Sequence, residues 1–562
     1  MFESFALDPN ECIYGLGERF DAVERRGRPV DFVNHDAIGT SNRRSYINVP
    51  FFWSTKGYGC FVNSNARTEW DIGMSEAGSI GFATEENYMD YFILSGATPS
   101  EILRRYTNDL TGVSPVPPIW TFGLWLSRNS YQSWAVVDEV IKKADMHGIP
   151  FDTVHLDTSW FHEDWNPDLI FSQERFPQPE MKMKTLAQEG IHVSLWQYNF
   201  VPPREDNVLY SEGREGGYFG KKSGEKDGMN NEFYQYPQGT AGWKTDDLVI
   251  DFSNPAAVRW YGKKISRLIE QGASAIKTDF GDCIPPAAHY LNISGRKFQN
   301  LYSLVYNSVI RAAVAQANPN TAQWARSGTA GSQRYPIHWG GDSQCSWSGL
   351  QGSVRAMLSL GLSGFAFFSH DIGGFIGTPE SELYIRWAQI GLLSSHARIH
   401  GAGDENGREP WYFGDEAVRI FRKFAQLRYA LLPYIVQQAE QGTEAGLPLV
   451  RAMVLEYPDD PATWYVESQY FLGHELLLAP TLQPLRELEK QAVYLPKGTW
   501  FDFWTNEKIE SNGSWVFLEP AALDSMLIWV RSGARIPFAR ERRRTFNRAG
   551  DVERIHEYGD SE

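Results

Sequence analysis

The chain has 562 residues and a mass of 63.9 kDa, which suggests roughly two to four domains. Hydrophobic residues make up 42% and charged residues 22%, values that are ordinary for a globular protein and argue against disorder. The formal charge is 53 − 69 = −16, and because phosphate binding needs clustered Lys and Arg, this balance argues against a nucleic-acid partner.

Membrane and disulfide-rich classes have no support either. No apolar run approaches the roughly 18 residues of a membrane span, and the first residues, MFESFALDPNEC, lack the basic and apolar regions of a signal peptide. The four cysteines form no CxxC pair and are too few for a disulfide framework. We therefore expect a cytoplasmic protein with reduced thiols and no membrane partner.

Residues 1–117 are predicted to form an N-terminal, β-sandwich-like domain. The runs INVPFFWS, GYGCFVNS and NYMDYFIL alternate apolar and polar residues, with Gly and Asn turns between them. The run SPVPP at 114–118 has the composition of a linker.

Residues 118–440 repeat one unit, a helix closed by glycine and followed by a buried strand. Between Ser133 and Gly148, for example, apolar residues follow helical spacing, and the strand FDTVHLD comes next. This repetition predicts an α/β fold, a (β/α)8 TIM barrel with a long insertion at 197–250, whose charged, Gly-rich segment SEGREGGYFGKKSGEKDGMNNE we expect to be exposed. The candidate strands are 121–126, 151–157, 191–196, 273–279, 321–326, 336–342, 364–371 and 390–396.

Polar and aromatic side chains collect at the predicted carboxyl ends of these strands, where barrel active sites lie. So many polar groups would be costly in a core, which favours a functional site. They are Asp157, Trp196, Asp279, Arg326, Asp342, His370, Asp371 and His396. Beyond the barrel, residues 441–535 read as a C-terminal β domain, and 536–562 as a charged tail or part of a distal domain.

Aromatic residues are abundant, with 20 Trp, 26 Tyr and 33 Phe, and many stand in polar runs such as LWLSRNSYQSW. A flat apolar ring with a polar tip suits the C–H face of a sugar. The alternative is that a large barrel simply buries many aromatic residues.

Asp279 and Asp342 are the strongest candidates for chemistry. Each ends a strand beside glycine, and carboxyls at strand ends 4 and 6 of one barrel can face each other across its mouth. Glycoside hydrolysis uses such a pair: one carboxylic acid protonates the leaving oxygen, and the other carboxylate attacks C1 in a retaining enzyme or activates a water in an inverting one. The sequence leaves both outcomes open, because they differ in the distance between the two carboxyls.

Other chemistries find little support in the sequence. The 12 histidines form no HxH or HExxH motif. His396 and His400 are four residues apart, but two histidines at that spacing are more often surface or core residues than metal ligands. No GxSxG follows a strand, and no GxGxxG or GxxxxGK[ST] is present. We therefore expect no metal and no cofactor.

The runs IKTDFGD, PIHWGGD, FFSHDIGGF and LLSSHARIHG, with YGLGERF and FGLWLS before them, resemble glycoside hydrolase family 31. The similarity covers nearly the whole chain and is nearest to the bacterial α-xylosidase branch. It implies a retaining, exo-acting enzyme on α-linked sugars that needs no cofactor, with Asp279 as nucleophile and Asp342 as general acid/base. It also leaves a homo-oligomer open, since members of that branch are often oligomers.

The resemblance also implies a set of sugar-binding residues. Lys277 has a separate physical argument, because it lies two residues before Asp279 and shares its face of the strand. The alternative for Lys277 is a structural ion pair with a barrel carboxylate. The expected set is Asp36, Asp157, Trp196, Lys277, Phe280, Arg326, Trp339 and His370.

The chain departs from the α-xylosidase pattern at several positions. Asp282 stands where glutamate is usual, and Thr158-Ser159 where a bulkier Cys-Phe is typical. Since the bulkier groups help to exclude a hydroxymethyl arm, α-glucosidase and α-galactosidase remain alternatives to α-xylosidase. Arg128 is either a solvated loop residue or, as in sulfoquinovosidases, a site for an anionic sugar. A transglycosylase and a catalytically weak sugar-binding protein are further alternatives.

Overall fold

The structure is a computed structural model that describes residues 1–64, 66–222, 233–235, 246–402, 407–540, 542–545 and 552–559. Part of the predicted insertion (223–232 and 236–245) and part of the charged tail therefore lie outside the described residues. No helix in the described ranges is long and apolar enough to cross a membrane. All four cysteines are free thiols.

Two antiparallel sheets form the N-terminal domain, in the orders β1-β7-β6-β3 and β2-β4-β5-β8. Apolar side chains between the sheets, including Phe52, Trp70 and Phe82, make a core separate from that of the barrel. The strands are β1 (Phe2–Ala6), β2 (Ile13–Gly15), β3 (Val30–Phe32), β4 (Phe51–Ser54), β5 (Tyr58–Val62), β6 (Thr68–Ile72), β7 (Ser79–Thr84) and β8 (Tyr91–Ser95). Helix α1 (Pro99–Arg105) follows them.

A parallel barrel forms the middle of the chain, as predicted. Its strands in chain order, with the short strands of the connecting loops, are β9 (Leu124–Leu126), β10 (Thr153–Leu156), β11 (Phe161–Glu163), β12 (Asn166–Phe171), β13 (His192–Tyr198), β14 (Phe200–Val201), β15 (Lys221–Lys222), β16 (Leu248–Val249), β17 (Ala275–Asp279), β18 (Ala288–His289), β19 (Ala322–Ala325), β20 (His338–Trp339), β21 (Phe368–Ser369), β22 (Asp371–Ile372) and β23 (Ala397–Ile399).

The barrel sheet runs β21-β20-β19-β17-β13-β10-β9-β23-β22. Because β21 and β22 are separated only by His370, they act as two halves of one strand: β21 pairs with β20 and β22 pairs with β23. The two halves together complete the circuit of eight strand positions.

Helices surround the barrel, and local signals in the sequence explain where several of them begin. The Ser133 side chain caps α2, and Asn254 followed by Pro255 starts α5, each accepting a backbone N–H of the first turn. The helices are α2 (Trp134–Met146), α3 (Pro179–Gln188), α4 (Val208–Gly216), α5 (Pro255–Glu270), α6 (Gly295–Ala317), α7 (Trp347–Gly361), α8 (Ser381–Leu392), α9 (Asp415–Ala430) and α10 (Leu432–Ala445).

Seven of the eight predicted runs overlap a barrel strand, and the eighth prediction, 390–396, is wrong. Its apolar residues belong to the end of α8, and the strand is β23, at Ala397–Ile399. A short apolar run fits the buried face of a helix as well as a strand, so periodicity could not separate the two. His396 consequently precedes the strand, on the barrel's opposite end, where its Nε2 lies 3.2 Å from the Thr121 hydroxyl.

The C-terminal region is a six-stranded antiparallel sheet, β24-β25-β26-β31-β28-β29, with two additional two-stranded sheets, β27-β30 and β32-β33. Its elements are β24 (Val450–Ala452), α11 (Met453–Glu456), β25 (Tyr470–Leu472), β26 (Leu476–Ala479), β27 (Gln491–Leu495), β28 (Gly498–Asp502), β29 (Lys508–Ser511), β30 (Ser514–Leu518), β31 (Leu527–Arg531), β32 (Arg535–Ala539) and β33 (Val552–Glu557).

The described part of the charged tail contacts the rest of the protein. Strands β32 and β33 pair with each other, and the following Tyr558 is buried. Between them, the Thr545 hydroxyl donates to the buried Asp152 carboxylate at 2.6 Å, just before β10. The Arg544 guanidinium lies 3.9 Å from the centre of the Phe151 ring. This end of the chain therefore packs against the amino end of the barrel, away from the predicted site.

Candidate active site

Asp279 ends β17, and donors hold both of its carboxylate oxygens. The Trp196 indole N–H donates to Oδ2 at 2.7 Å, and the Phe280 backbone N–H donates to Oδ1 at 2.8 Å. The Lys277 Nζ is 3.6 Å from Oδ2, on the same face of the strand two residues earlier. Only 8% of the residue is exposed, so this carboxylate is both fixed and shielded from water.

Asp342 follows β20, and the N-terminal domain holds its backbone. Its N–H donates to the Tyr46 hydroxyl at 3.2 Å, and its C=O accepts the Gly39 N–H at 2.7 Å. Gly341 has φ +61°, and a Cβ there would lie 2.2 Å from the Tyr46 ring, so the turn requires glycine. The site therefore includes residues from two domains.

One guanidinium connects the carboxylates. Arg326, directly after β19, has Nε 3.3 Å from Asp279 Oδ1 and Nη1 3.6 Å from Asp342 Oδ2. Nη1 is also 3.7 Å from Asp36 Oδ1, and Nη2 is 2.8 Å from Asp282 Oδ2. A single buried cation thus gathers four carboxylates.

The pKa values of the two candidate catalytic carboxyls are shifted in opposite directions. Burial alone would raise the pKa of Asp279, but the charges of Arg326 and Lys277 outweigh it and hold that pKa below its ordinary value. Burial also raises the pKa of Asp342; Arg326 opposes this, but Asp36 and Asp279 add to it, and the pKa stays well above its ordinary value. These opposite shifts favour an ionised Asp279 beside an Asp342 that keeps its proton to higher pH.

A second group of contacts lies around Asp157, at the end of β10. Its Oδ2 is 3.0 Å from Lys277 Nζ, 2.8 Å from His155 Nε2 and 3.9 Å from His400 Nε2. Burial lowers the pKa of His155 to about 4, although Asp157 opposes this, so at neutral pH the imidazole is uncharged and donates to the carboxylate. Lys277 therefore forms the ion pair with a barrel carboxylate that was the structural alternative for this residue. It also lies on the same rim of the barrel as Asp279.

Aromatic rings line this arrangement. The Phe280 ring stacks 4.0 Å from the Arg326 guanidinium, and the Lys277 Nζ is 5.0 Å from the Trp339 ring. Phe280 has φ +54°, an unfavourable backbone conformation for a bulky residue, and such conformations cluster at functional sites. The Tyr306 ring fills the space beside Gly281, where a Cβ would lie 2.7 Å from that ring. This contact and the φ of +76° together explain why glycine stands at this position.

His370 occupies the break between β21 and β22. Its Nδ1 accepts the indole N–H of Trp387 in α8 at 3.0 Å, and its ring lies against Gly391 of the same helix. Asp371 pairs with Arg398 of β23, which is a structural contact between neighbouring strands. Among the described contacts, those of His370 connect it to α8, whereas His400 reaches Lys277 and Asp157.

Three residues of this site were not assigned a role from the sequence. The Nε2 of His400 is 3.4 Å from Lys277 Nζ, and its Nδ1 is 2.7 Å from the Ser127 hydroxyl. Glu18, in the run YGLGERF, is fully buried, and its carboxylate accepts the Tyr46 N–H at 3.1 Å. Asp282 pairs with Arg326. Each of the three residues belongs to a sequence motif, which could have drawn attention to it. The residues next to it in the sequence do not indicate which member of the motif faces the site.

Arg128 is not a solvated loop residue. Its Nη2 is 3.0 Å from Oε1 of the fully buried Glu409, and its guanidinium lies 5.4 Å from the Tyr131 ring and 5.6 Å from the Tyr412 ring. This pairing accounts for the arginine without an anionic sugar.

We expect Arg128→Ala to lower the apparent melting temperature, because it leaves the Glu409 carboxylate buried without its cation. After allowance for the partial exposure of Arg128, the cost is about 2 kcal/mol. Thermal unfolding monitored by circular dichroism measures this, and the matched control is Arg128→Ala with Glu409→Gln, which should recover part of the loss. An unchanged melting temperature with a raised KM for an anionic glycoside would instead favour a ligand-binding role.

Comparison with protein families gives one consistent result. Residues 114–438, more than half of the chain, match the glycosyl hydrolases family 31 TIM-barrel domain. Residues 446–536 match the glycosyl hydrolase family 31 C-terminal domain, and residues 1–71 match the glycosyl hydrolase 31 N-terminal galactose mutarotase-like domain.

Two curated relatives are α-xylosidases by name. The chain is 36% identical over 533 residues to alpha-xylosidase XylQ of Lactiplantibacillus pentosus, covering 92% of this chain and 67% of that protein. It is 33% identical over 549 residues to the alpha-xylosidase of Emericella nidulans, covering 94% of this chain and 67% of that protein.

Solved structures of similar fold include enzymes acting on other sugars. The cycloalternan-forming enzyme of Listeria monocytogenes, in complex with a pentasaccharide substrate, has a TM-score of 0.89 at 26% identity; the match covers 96% of this chain but only 54% of that one. The dextranase FjDex31A of Flavobacterium johnsoniae, complexed with glucose, has a TM-score of 0.89 at 27% identity, covering 97% and 68%. On the match to the family's barrel domain and the identity to these curated relatives, this chain belongs to glycoside hydrolase family 31.

Proposed function

We propose that this chain is a retaining, exo-acting α-glycosidase and that α-xylosides are its first-choice substrates. The observation that carries the proposal is the pair of buried carboxyls at one guanidinium, with Arg326 3.3 Å from Asp279 and 3.6 Å from Asp342. The opposite directions of their pKa shifts support the division into nucleophile and acid. The two α-xylosidases among its relatives support the choice of sugar.

In the first step, an ionised Asp279 oxygen forms a bond to the anomeric carbon while the bond to the leaving oxygen breaks. The Asp342 carboxylic acid gives its proton to that oxygen, and a covalent glycosyl ester remains on Asp279. In the second step, Asp342, now a carboxylate, takes a proton from water, whose oxygen attacks the anomeric carbon. The ester bond breaks, Asp279 regains its negative charge, and the sugar leaves with its original configuration.

Sugar hydroxyls find donors and acceptors around this pair. Lys277, Asp157 and His400 form one buried polar cluster on the same rim, and we assign them to hydroxyl binding. Trp196 and Phe280 line Asp279 itself, and Asp36 approaches from the N-terminal domain through Arg326. His370 remains a candidate for this set, through Nε2, because its Nδ1 is already occupied by Trp387.

A second candidate substrate class, α-glucosides, is favoured by small side chains near the cluster. The Ser130 hydroxyl lies 3.3 Å from the Thr158 hydroxyl and accepts the Ser159 N–H at 2.8 Å. Thr158 and Ser159 stand where bulkier groups would exclude a hydroxymethyl arm, and one such group contributes only about 1–3 kcal/mol of discrimination.

The deciding experiment is proton NMR of the enzyme with an aryl α-xyloside and, in parallel, the matching aryl α-glucoside. We expect α-xylose to appear first, before mutarotation, at a higher initial rate than α-glucose. Early β-xylose would overturn the retaining mechanism. Faster α-glucose release would overturn the choice of sugar alone. Transfer to an added sugar in preference to water would instead identify a transglycosylase.

A further inference from the structure

We propose that Asp282 is a positioning residue: its buried carboxylate holds Nη2 of Arg326 and so directs Nε and Nη1 of that guanidinium to Asp279 and Asp342. This inference rests on the proposed roles of Asp279 and Asp342.

The geometry supports an anchoring role. Asp282 makes the shortest of the four carboxylate contacts of Arg326, at 2.8 Å to Nη2, compared with 3.3, 3.6 and 3.7 Å for the others. Its side chain is fully buried and contacts Nη2, the guanidinium nitrogen that is not in contact with Asp279 or Asp342. Because the Asp282 carboxylate contacts Nη2, the other two nitrogens of Arg326, Nε and Nη1, face Asp279 and Asp342.

The charge balance gives Asp282 a second effect. One guanidinium serves four carboxylates, so each ionised carboxylate reduces the stabilisation that the others receive. Burial raises the pKa of Asp282 to about 7, despite the opposing charge of Arg326. The ionisable groups that act on Asp282 are Arg326, Asp36, Asp279, Glu18 and Cys283. Those that act directly on Asp342 include Arg326, Asp36, Asp279, Asp371 and Tyr46, so Asp282 acts on Asp342 through the Arg326 charge that the two carboxylates share.

The sign of the effect follows from the shared guanidinium. As the pH rises through about 7, Asp282 becomes negative and takes up more of the Arg326 charge, which leaves less of that charge to stabilise an ionised Asp342 and so disfavours loss of its proton. Asparagine cannot become negative, so in Asp282→Asn the proton leaves Asp342 at lower pH. Asp279, whose pKa is lowered, titrates where Asp282 is still neutral. Its titration is therefore unaffected by the substitution.

The test is the pH dependence of kcat/KM for the wild-type enzyme, Asp282→Asn and the charge-preserving Asp282→Glu, on an α-glycoside with a poor leaving group. For Asp282→Asn we expect the basic limb to move down by about one pH unit while the acidic limb stays. Asp282→Glu should leave both limbs at their wild-type positions, with kcat lowered because the longer side chain displaces Arg326.

A uniform loss of kcat/KM in Asp282→Asn, without movement of the basic limb, would overturn the inference and leave Asp282 a structural residue. If circular dichroism shows that Asp282→Asn does not fold, Asp282→Glu decides alone: unmoved limbs with a lowered kcat support the inference, and a shifted basic limb overturns it. Absence of turnover by the wild-type enzyme on every α-glycoside would overturn the proposed function and this inference with it.

Discussion

Asp279→Asn is expected to lower kcat by on the order of 10⁴-fold or more, the scale seen when a covalent nucleophile is removed. The amide preserves the shape of the side chain but cannot form the glycosyl ester. The wild-type carboxylate is prepared for attack: Trp196 and the Phe280 N–H orient it, and Arg326 keeps it ionised. Steady-state kinetics on an aryl α-xyloside and its α-glucoside counterpart measures the loss.

The companion variant Asp279→Ala separates loss of the nucleophile from loss of the fold. Added azide can occupy the space of the missing carboxylate and attack the anomeric carbon directly. A single displacement inverts configuration, so we expect a β-glycosyl azide. Turnover of Asp279→Asn close to the wild-type rate would remove Asp279 from the mechanism, as would rescue that gives the α-azide.

Asp342→Ala is expected to lower kcat/KM by about 10²–10⁴-fold on glycosides with poor leaving groups, the usual contribution of a general acid. On a dinitrophenyl glycoside the loss in the first step should be much smaller, because that leaving group needs no proton. Azide should now give the α-glycosyl azide, since it replaces water in the second displacement.

The pH profile adds an independent check on Asp342. Its pKa is raised, and only the protonated form donates, so wild-type kcat/KM should fall as the pH rises through that pKa. In Asp342→Ala this basic limb should disappear. The matched control for the dependence on leaving group is Asp371→Asn, which removes another buried carboxylate of the same rim but one paired with Arg398. Because the charge of Asp371 helps to raise the pKa of Asp342, this variant should keep a basic limb, displaced to lower pH. Asp371→Asn should lower the stability of the protein without altering the dependence of kcat/KM on the leaving group. For Asp342→Ala, an equal loss of kcat/KM on all leaving groups would contradict the role of Asp342 as the acid.

Local pattern was sufficient to predict much of the architecture. Helical spacing of apolar residues, capping by Ser133 and Asn254, and closing glycines are signals within one turn of the chain, so they predict the barrel repeat directly. The two-residue period of a strand also placed Lys277 and Asp279 on one face. Where the signal was ambiguous, as in the apolar end of α8, tertiary packing decided between helix and strand.

The sequence by itself determined the family, the barrel and the two aspartates at its strand ends, because these are carried by contiguous motifs. Only the tertiary structure decided which charges neutralise one another. Arg326 meets Asp36 and Asp342 across domain and strand boundaries, Arg128 meets Glu409 across 281 positions, and His400 lies beside Lys277 across 123 positions. Such contacts leave no local period in the sequence, since they depend on the closure of the barrel and the docking of the N-terminal domain.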